Sequence, residues 1–288
     1  MTIDVDPIRG GDLKTLIESN ESKNKETLLE LDDVHMSFGE VKAIAGISLK
    51  IKKGEIHSVI GPNGAGKTVM MNCVNGLYRP QLGTIRFKGE KINHLKPHER
   101  AKLGMARTFQ KVEVFGGMTV LDNIRLGRHI HYKSGVLSGA WYLGKTSAEE
   151  KQHRAFIEEE IIDLLEIEQI RHQPVGRLPY GLQKRVELGR ALALEPDLLI
   201  LDEPLAGLNL EEVEDMARFI LDINEEKRWK VTCLLVEHDM GVVMDLSDNV
   251  FVLNFGNMIM DGPPAEVQEN PDVIKAYLGE EDLYATRR

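Results

Sequence analysis

The chain of 288 residues is long enough for one large core or two smaller lobes, and its 42% hydrophobic and 28% charged composition is that of an ordinary globular protein. A formal net charge of −10 argues against a broad nucleic-acid surface, so no nucleic-acid partner is expected. No apolar run approaches the roughly 18 residues of a membrane span, and the start Met1-Thr2-Ile3-Asp4 has neither the basic nor the apolar region of a secretory signal.

Residues 1–26 are polar and poor in apolar periodicity, so they read as an extension with at most one weak helix at 12–19. Strand character begins at 28–31 and returns at 47–51, ahead of the turn Lys52-Lys53-Gly54. A short buried strand over 55–60 leads into a glycine-rich loop, and 69–77 reads as the helix that leaves it. A further strand is expected at 84–89 and a short helix at 97–103. From 116 to 178 the pattern is helical, most clearly at 148–167, where Phe156, Ile157, Ile161, Leu164 and Leu165 form an apolar stripe. The glycine-rich stretch 134–144 carries Trp141 and Tyr142, and reads either as a packing flap or as a docking surface for a partner. Past 180 helices alternate with apolar strands at 198–201, 231–236 and 250–253, which implies a mostly parallel sheet in an α/β fold. The two cysteines, Cys73 and Cys233, fall in apolar helix and strand patterns without metal spacing and read as core residues.

The glycine-rich loop is Gly61-Pro62-Asn63-Gly64-Ala65-Gly66-Lys67-Thr68, which fits G-x-x-x-x-G-K-[ST]. Glycines let the backbone turn tightly and aim successive N–H groups into one concave anion site. Lys67 reaches the β- and γ-phosphates of a nucleotide, and the Thr68 hydroxyl is suited to Mg²⁺. The following helix presents its positive end to the phosphates. A second feature is the apolar run Leu198-Leu199-Ile200-Leu201 ending in Asp202-Glu203. In phosphate-loop enzymes such a strand lies beside the loop and its acid holds Mg²⁺, usually through water, a role that falls to Asp202. Glu203, one residue on, is placed to take a proton from an attacking water. A nucleotide with Mg²⁺ is therefore the expected ligand.

Four more pieces resemble the ATP-binding domains of ABC transporters, over roughly residues 28–280. Gln110 in Arg107-Thr108-Phe109-Gln110 resembles the glutamine that joins the Mg²⁺ site to a helical subdomain. His238 after Val236-Glu237 resembles the switch histidine on the γ-phosphate. Ala206-Gly207-Leu208-Asn209 resembles the loop that crosses the dimer interface, and Phe38 the aromatic that stacks on adenine. The resemblance implies a phosphate-loop ABC ATPase domain over 27–280. It would combine a mostly parallel core sheet, an antiparallel β subdomain and a helical subdomain at about 116–180, with a tail at 281–288.

The segment Leu178-Pro179-Tyr180-Gly181-Leu182-Gln183 stands where ABC domains carry Leu-Ser-Gly-Gly-Gln. Its tyrosine, the Ala-Gly-Leu-Asn loop, the glycine-rich insert and the tail from Asp261-Gly262-Pro263 to Gly279 are similar to the branched-chain amino-acid uptake family. The resemblance makes Pro179, Tyr180 and Gly181 part of the site for ATP bound on an opposite subunit. Pro179 and Leu182 depart from the pattern. Proline offers neither a hydroxyl nor an N–H, so either the following helix amides suffice or that half of a composite site is weakened.

The resemblance further implies ATP hydrolysis that drives transmembrane permease subunits from the cytoplasmic face of the inner membrane, with the chain bound peripherally. A second ATPase subunit is required, expected to be a different chain, with a second copy as the alternative. A periplasmic or extracellular solute-binding protein would be an indirect partner, and the solute a branched-chain amino acid or a related small polar or acidic molecule. The rival is a soluble ABC ATPase acting as an assembly factor of the iron–sulfur type. A kinase or GTPase is disfavoured, since no Asn-Lys-x-Asp guanine motif is present.

Overall fold

Two long strands, β1 (Thr27–Phe38) and β2 (Val41–Lys52), pair antiparallel around a turn at Gly39, whose φ of 59° suits glycine. β4 (Leu82–Phe87) adds to the other side of β1, and β5 (Glu90–Lys91) closes a hairpin on β4. Its two turn residues, Lys88 and Gly89, are both left-handed, with φ of 52° and 80°, as a two-residue hairpin demands. The resulting sheet has the order β2-β1-β4-β5. This computed structural model describes residues 26–132 and 145–277. Residues 1–25 of the 1–26 extension, the Trp141-Tyr142 stretch and the tail 281–288 lie outside the described residues.

The second sheet is built from β3 (Ile56–Ile60), β6 (Met105–Arg107), β7 (Leu198–Asp202), β8 (Thr232–Val236), β9 (Asn249–Asn254) and β10 (Asn257–Gly262). Its order is β10-β9-β3-β8-β7-β6, parallel throughout except for the β9–β10 hairpin. Every residue of β3, β7 and β8 is buried, because both faces are covered; hence the unbroken apolar runs in sequence. The two faces still alternate. Leu198, Ile200, Leu234 and Val236 face a core shared with the antiparallel sheet and α1 (Lys67–Asn75), whereas Leu199, Leu201, Cys233 and Leu235 face helices.

Those helices are α3 (Val120–Gly127), α4 (Lys145–Phe156), α5 (Tyr180–Leu192) and α6 (Leu210–Glu225). A Cβ at Gly127 would strike the Arg190 carbonyl, so glycine permits the close crossing of α3 on α5. The helix expected to run on to 167 instead widens to a π turn over Ile157–Ile162, and Glu166, at φ 54°, stands beyond it. The wider turn brings adjacent Ile161 and Ile162 towards one face, and both are buried. After the sheet come α7 (Met240–Leu246), α8 (Pro264–Glu269) and the helical residues 271–277, where Asn270 Oδ1 accepts from Asp272 N and Val273 N.

Two buried polar devices pin the phosphate-loop unit. Arg100, in α2 (Pro97–Lys102), is fully buried and donates to the Cys73 and Val74 carbonyls at the end of α1, and to those of Ile92 and Leu95. His57 on β3 lies between Glu55 (Nδ1 to Oε1, 2.6 Å) and Asp261 (Nε2 to Oδ1, 3.1 Å), which ties β3 to β10. Burial disfavours the imidazolium, but the two carboxylates outweigh it and raise its pKa to about 9. Both cysteines are buried free thiols, with burial pushing Cys73 up to about 11 and Cys233 up to about 12.

Candidate nucleotide site

The loop between β3 and α1 forms the floor of a cavity of about 380 Å³, lined by residues 63–69 with Val41, Lys42, Ala43, Gln110, Glu203 and Phe255. Its shape depends on glycine. Gly61 and Gly66 have φ of 147° and 110°, and a Cβ at Gly66 would stand 2.5 Å from the Ala43 carbonyl. Gly66 also precedes α1 without any side-chain cap, which leaves the first amides of the helix for an anion. Lys67 Nζ folds back onto the carbonyls of Gly61 and Pro62, so the ammonium sits over the loop that would hold phosphates.

Strand β7 delivers the two acids. Asp202 is buried and its Oδ2 accepts from Arg107 at 2.7 Å. Glu203 follows in a left-handed turn, φ 49°, with its N–H donating to the Val236 carbonyl at 2.8 Å. The turn swings the Glu203 carboxylate towards the cavity, where Gln110 Nε2 donates to Oε2 at 2.9 Å. Lys184 of α5 supports the same turn from behind, donating to the carbonyls of Glu203 and Pro204. Burial lowers the Lys184 pKa against the pull of Glu237, Glu187 and Glu203. Two buried carboxylates act as backbone anchors, both raised in pKa by burial. Glu187 accepts from Phe109 N and Glu113 N around Gln110, and Glu237 accepts from Leu205 N and His238 N.

Of the residues singled out in the sequence, 63–68, Gln110 and Glu203 share the cavity. Gly61 and Pro62 form the first turn of the loop, and Asp202, paired with Arg107 at the end of β7, directly precedes Glu203 without lining the cavity. Five other sequence candidates, Phe38, His238, Pro179, Tyr180 and Gly181, are not among the cavity's lining residues. Phe38 is half-exposed and packs edge-to-face on Tyr78, with ring centroids 5.3 Å apart. His238 is exposed just beyond Glu237. Tyr180 leans on Gly207, and Gly181 faces Glu212, where a Cβ would collide with the carboxylate. Pro179 begins α5 with no side-chain cap, and Leu182 turns partly into the helical core. Sequence reasoning missed Arg107, Lys184, Glu187, Glu237 and Phe255. Arg107 was within reach, lying in the same four residues as Gln110. Phe255 is 77% exposed at the cavity lip, on a turn whose Gly256 N–H donates to the Ala65 carbonyl.

The donors present suit Mg²⁺. Thr68, Asp202 and Gln110 offer hard oxygen ligands, and among the described residues no cluster of three His, Cys, Asp or Glu could cage a metal alone. Such a site needs phosphate oxygens to complete the shell, which is how Mg²⁺ is commonly held.

A phosphate loop, a core strand that ends in two acids, a glutamine on the second acid, and an antiparallel sheet beside the core sheet together define an ATP-binding cassette ATPase. The chain belongs to the ABC transporter family, whose profile matches residues 44–206. A second profile, described as branched-chain amino acid ATP-binding cassette transporter, matches residues 257–282. The chain is 41% identical over 255 residues to the high-affinity branched-chain amino acid transport ATP-binding protein BraF of Pseudomonas aeruginosa, covering 88% of this chain and 98% of that one. It is 37% identical over 257 residues to LivG of Escherichia coli, with 88% and 99% covered. Among solved structures it resembles the ADP conformation of an ATP-binding cassette of an ABC transporter, with TM-score 0.75, 29% identity and coverage of 88% and 99%. The chain is thus an ATP-binding and ATP-hydrolysing subunit of an ABC transporter, and the assembly-factor reading finds no support. No helix among the described residues is long and apolar enough to cross a membrane.

Proposed function

We propose that this chain energises uptake of branched-chain amino acids, bound peripherally to permease subunits at the cytoplasmic face of the membrane. A second ATPase subunit of different sequence and, indirectly, an external solute-binding protein complete the system. The supporting observation for the cargo is likeness over 88% of the chain to relatives so named, joined by the profile match at 257–282. The domain division follows as an extension at 1–26, an ATPase domain at 27–280 with its helical part near 116–180, and a tail.

In this reading Lys67 exchanges the carbonyls of Gly61 and Pro62 for the β- and γ-phosphate oxygens of ATP, and the loop amides hold the rest. Phe38 stacks on adenine. Thr68, Asp202 and Gln110 would hold Mg²⁺, partly through water, and the ion would supply charge neutralisation to the phosphates. Glu203, aimed by Gln110, takes a proton from water as its oxygen bonds the γ-phosphorus and the bond to the β–γ bridging oxygen breaks, releasing ADP and phosphate. His238 contacts the γ-phosphate, and Pro179, Tyr180 and Gly181 serve ATP held by the partner ATPase.

The test is reconstitution with its permease and solute-binding subunits, measuring uptake of labelled leucine and the accompanying ATP hydrolysis. Leucine-dependent hydrolysis with accumulation supports the assignment. Hydrolysis that responds to another solute class and ignores leucine, isoleucine and valine sinks the cargo.

A further inference from the structure

We propose that Arg107 is the resident counter-ion of Asp202, a positioning residue that aims the metal-holding acid and keeps the metal's grip on it weak. This rests on the reading of Asp202 given above. The guanidinium makes two bonds at once. One nitrogen donates to Asp202 Oδ2 at 2.7 Å, and the other to Asn72 Oδ1 at 2.7 Å. Arg107 and Asp202 are both nearly inaccessible, with side chains 4% and 7% exposed. Asn72 lies one turn beyond Thr68 on α1, so it stands on the same helix face. The planar fork therefore spans the two elements that carry the oxygen donors, Thr68 and Asp202, and sets the gap between them. A lysine would carry the charge without the double reach.

The charge matters as much as the span. The guanidinium places a fixed positive charge against a carboxylate that is almost wholly removed from water. It also occupies Oδ2, which leaves Oδ1 for a metal-bound water. Once a dication comes, Arg107 competes for the same carboxylate and repels the newcomer through a weakly screened interior. The site is then tuned for a metal that comes and goes with its nucleotide. The same short segment also reaches the second acid. Three residues after Arg107, Gln110 donates to Glu203, so both acids at the end of β7 are gripped from one stretch of chain.

The experiment titrates Mn²⁺ into the full-length chain saturated with ADP and follows free Mn²⁺ by electron paramagnetic resonance. Wild type, Arg107→Met, Arg107→Gln, Arg107→Lys and Asp202→Asn are compared. ADP affinity in EDTA and thermal melting report whether each variant is folded with an intact phosphate loop. We expect Mn²⁺ to bind Arg107→Met and Arg107→Gln about tenfold more tightly than wild type, and Arg107→Lys within about twofold of it, with ADP affinity in EDTA unchanged. A residue that only stabilises the fold would not tighten the metal. Unchanged or weaker Mn²⁺ binding by both neutral variants overturns the proposal, as does equal tightening by the lysine variant. If Asp202→Asn binds Mn²⁺ as wild type does, Asp202 is not the metal-holding acid and both readings fall together.

Discussion

Lys184 donates from Nζ to the main-chain carbonyl of Glu203, 2.9 Å away, so the helix that begins at Tyr180 grips the turn that carries the acid. Lys184→Met would strand the buried carbonyl of Pro204, at about 1–3 kcal/mol, and the partly buried carbonyl of Glu203, at about 1 kcal/mol. We expect a stability loss of about 2–4 kcal/mol in urea and turnover reduced about tenfold or more, with ATP affinity little changed. Full turnover in a destabilised variant would show that the grip serves folding alone.

Binding and chemistry should separate by residue. Lys67→Ala is expected to weaken ATP binding, because a phosphate contact is lost. Glu203→Gln is expected to bind ATP normally and lose about 10²–10⁴-fold in turnover, since the amide keeps the shape but cannot take a proton. His238→Ala should resemble Glu203→Gln. ATP affinity and steady-state phosphate release, measured side by side, decide the matter. Normal turnover by Glu203→Gln removes it from the mechanism.

Pro179 should matter for the partner's ATP rather than for the chain's own. It starts α5 without a capping side chain, away from the cavity that Lys67 and Glu203 share. The missing hydroxyl contact is worth about 0.5–1.5 kcal/mol, and more towards a charged phosphate. Alone, the chain should hydrolyse ATP slowly, and Pro179→Ser with Leu182→Gln should speed it. If the isolated wild type already matches that double variant, the expectation of an unlike ATPase partner loses its basis.

Stability should fall with rising pH because of His57. Its folded pKa of about 9 lies above the ordinary 6.5, so its contribution is complete below about pH 6.5 and is lost as pH rises through 9. The effect is on the order of 3 kcal/mol. Urea unfolding at pH 6.5 and 9.5 should show this drop in wild type and a smaller one in His57→Gln. Equal drops in the two proteins would count against the buried imidazolium.

The phosphate loop was legible because close backbone approach demands glycine and phosphate demands Lys67, so chemistry dictates residue type at fixed spacing. Asp202 and Glu203 stood out for a similar reason, as acids closing an apolar run. Strand β6 did not, since three residues carry no periodicity. Arg107 finds Asp202 across 95 positions of chain, and Lys184 finds Glu203 across 19, and nothing in one sequence announces such pairs. The break at Ile157–Ile162 was hidden because the apolar stripe continues through it.

Arg100 and Gly76 exclude each other's alternatives. A Cβ at Gly76 would lie 2.7 Å from Arg100 Nε and 2.9 Å from the Leu95 carbonyl that the guanidinium bonds. Any side chain at 76 therefore evicts the arginine, and any shorter side chain at 100 leaves the carbonyls of Cys73 and Val74 without their donor. A change at either position alone is therefore expected to cost stability at the far end of the phosphate-loop helix, and only a paired change could keep both the space and the donors matched.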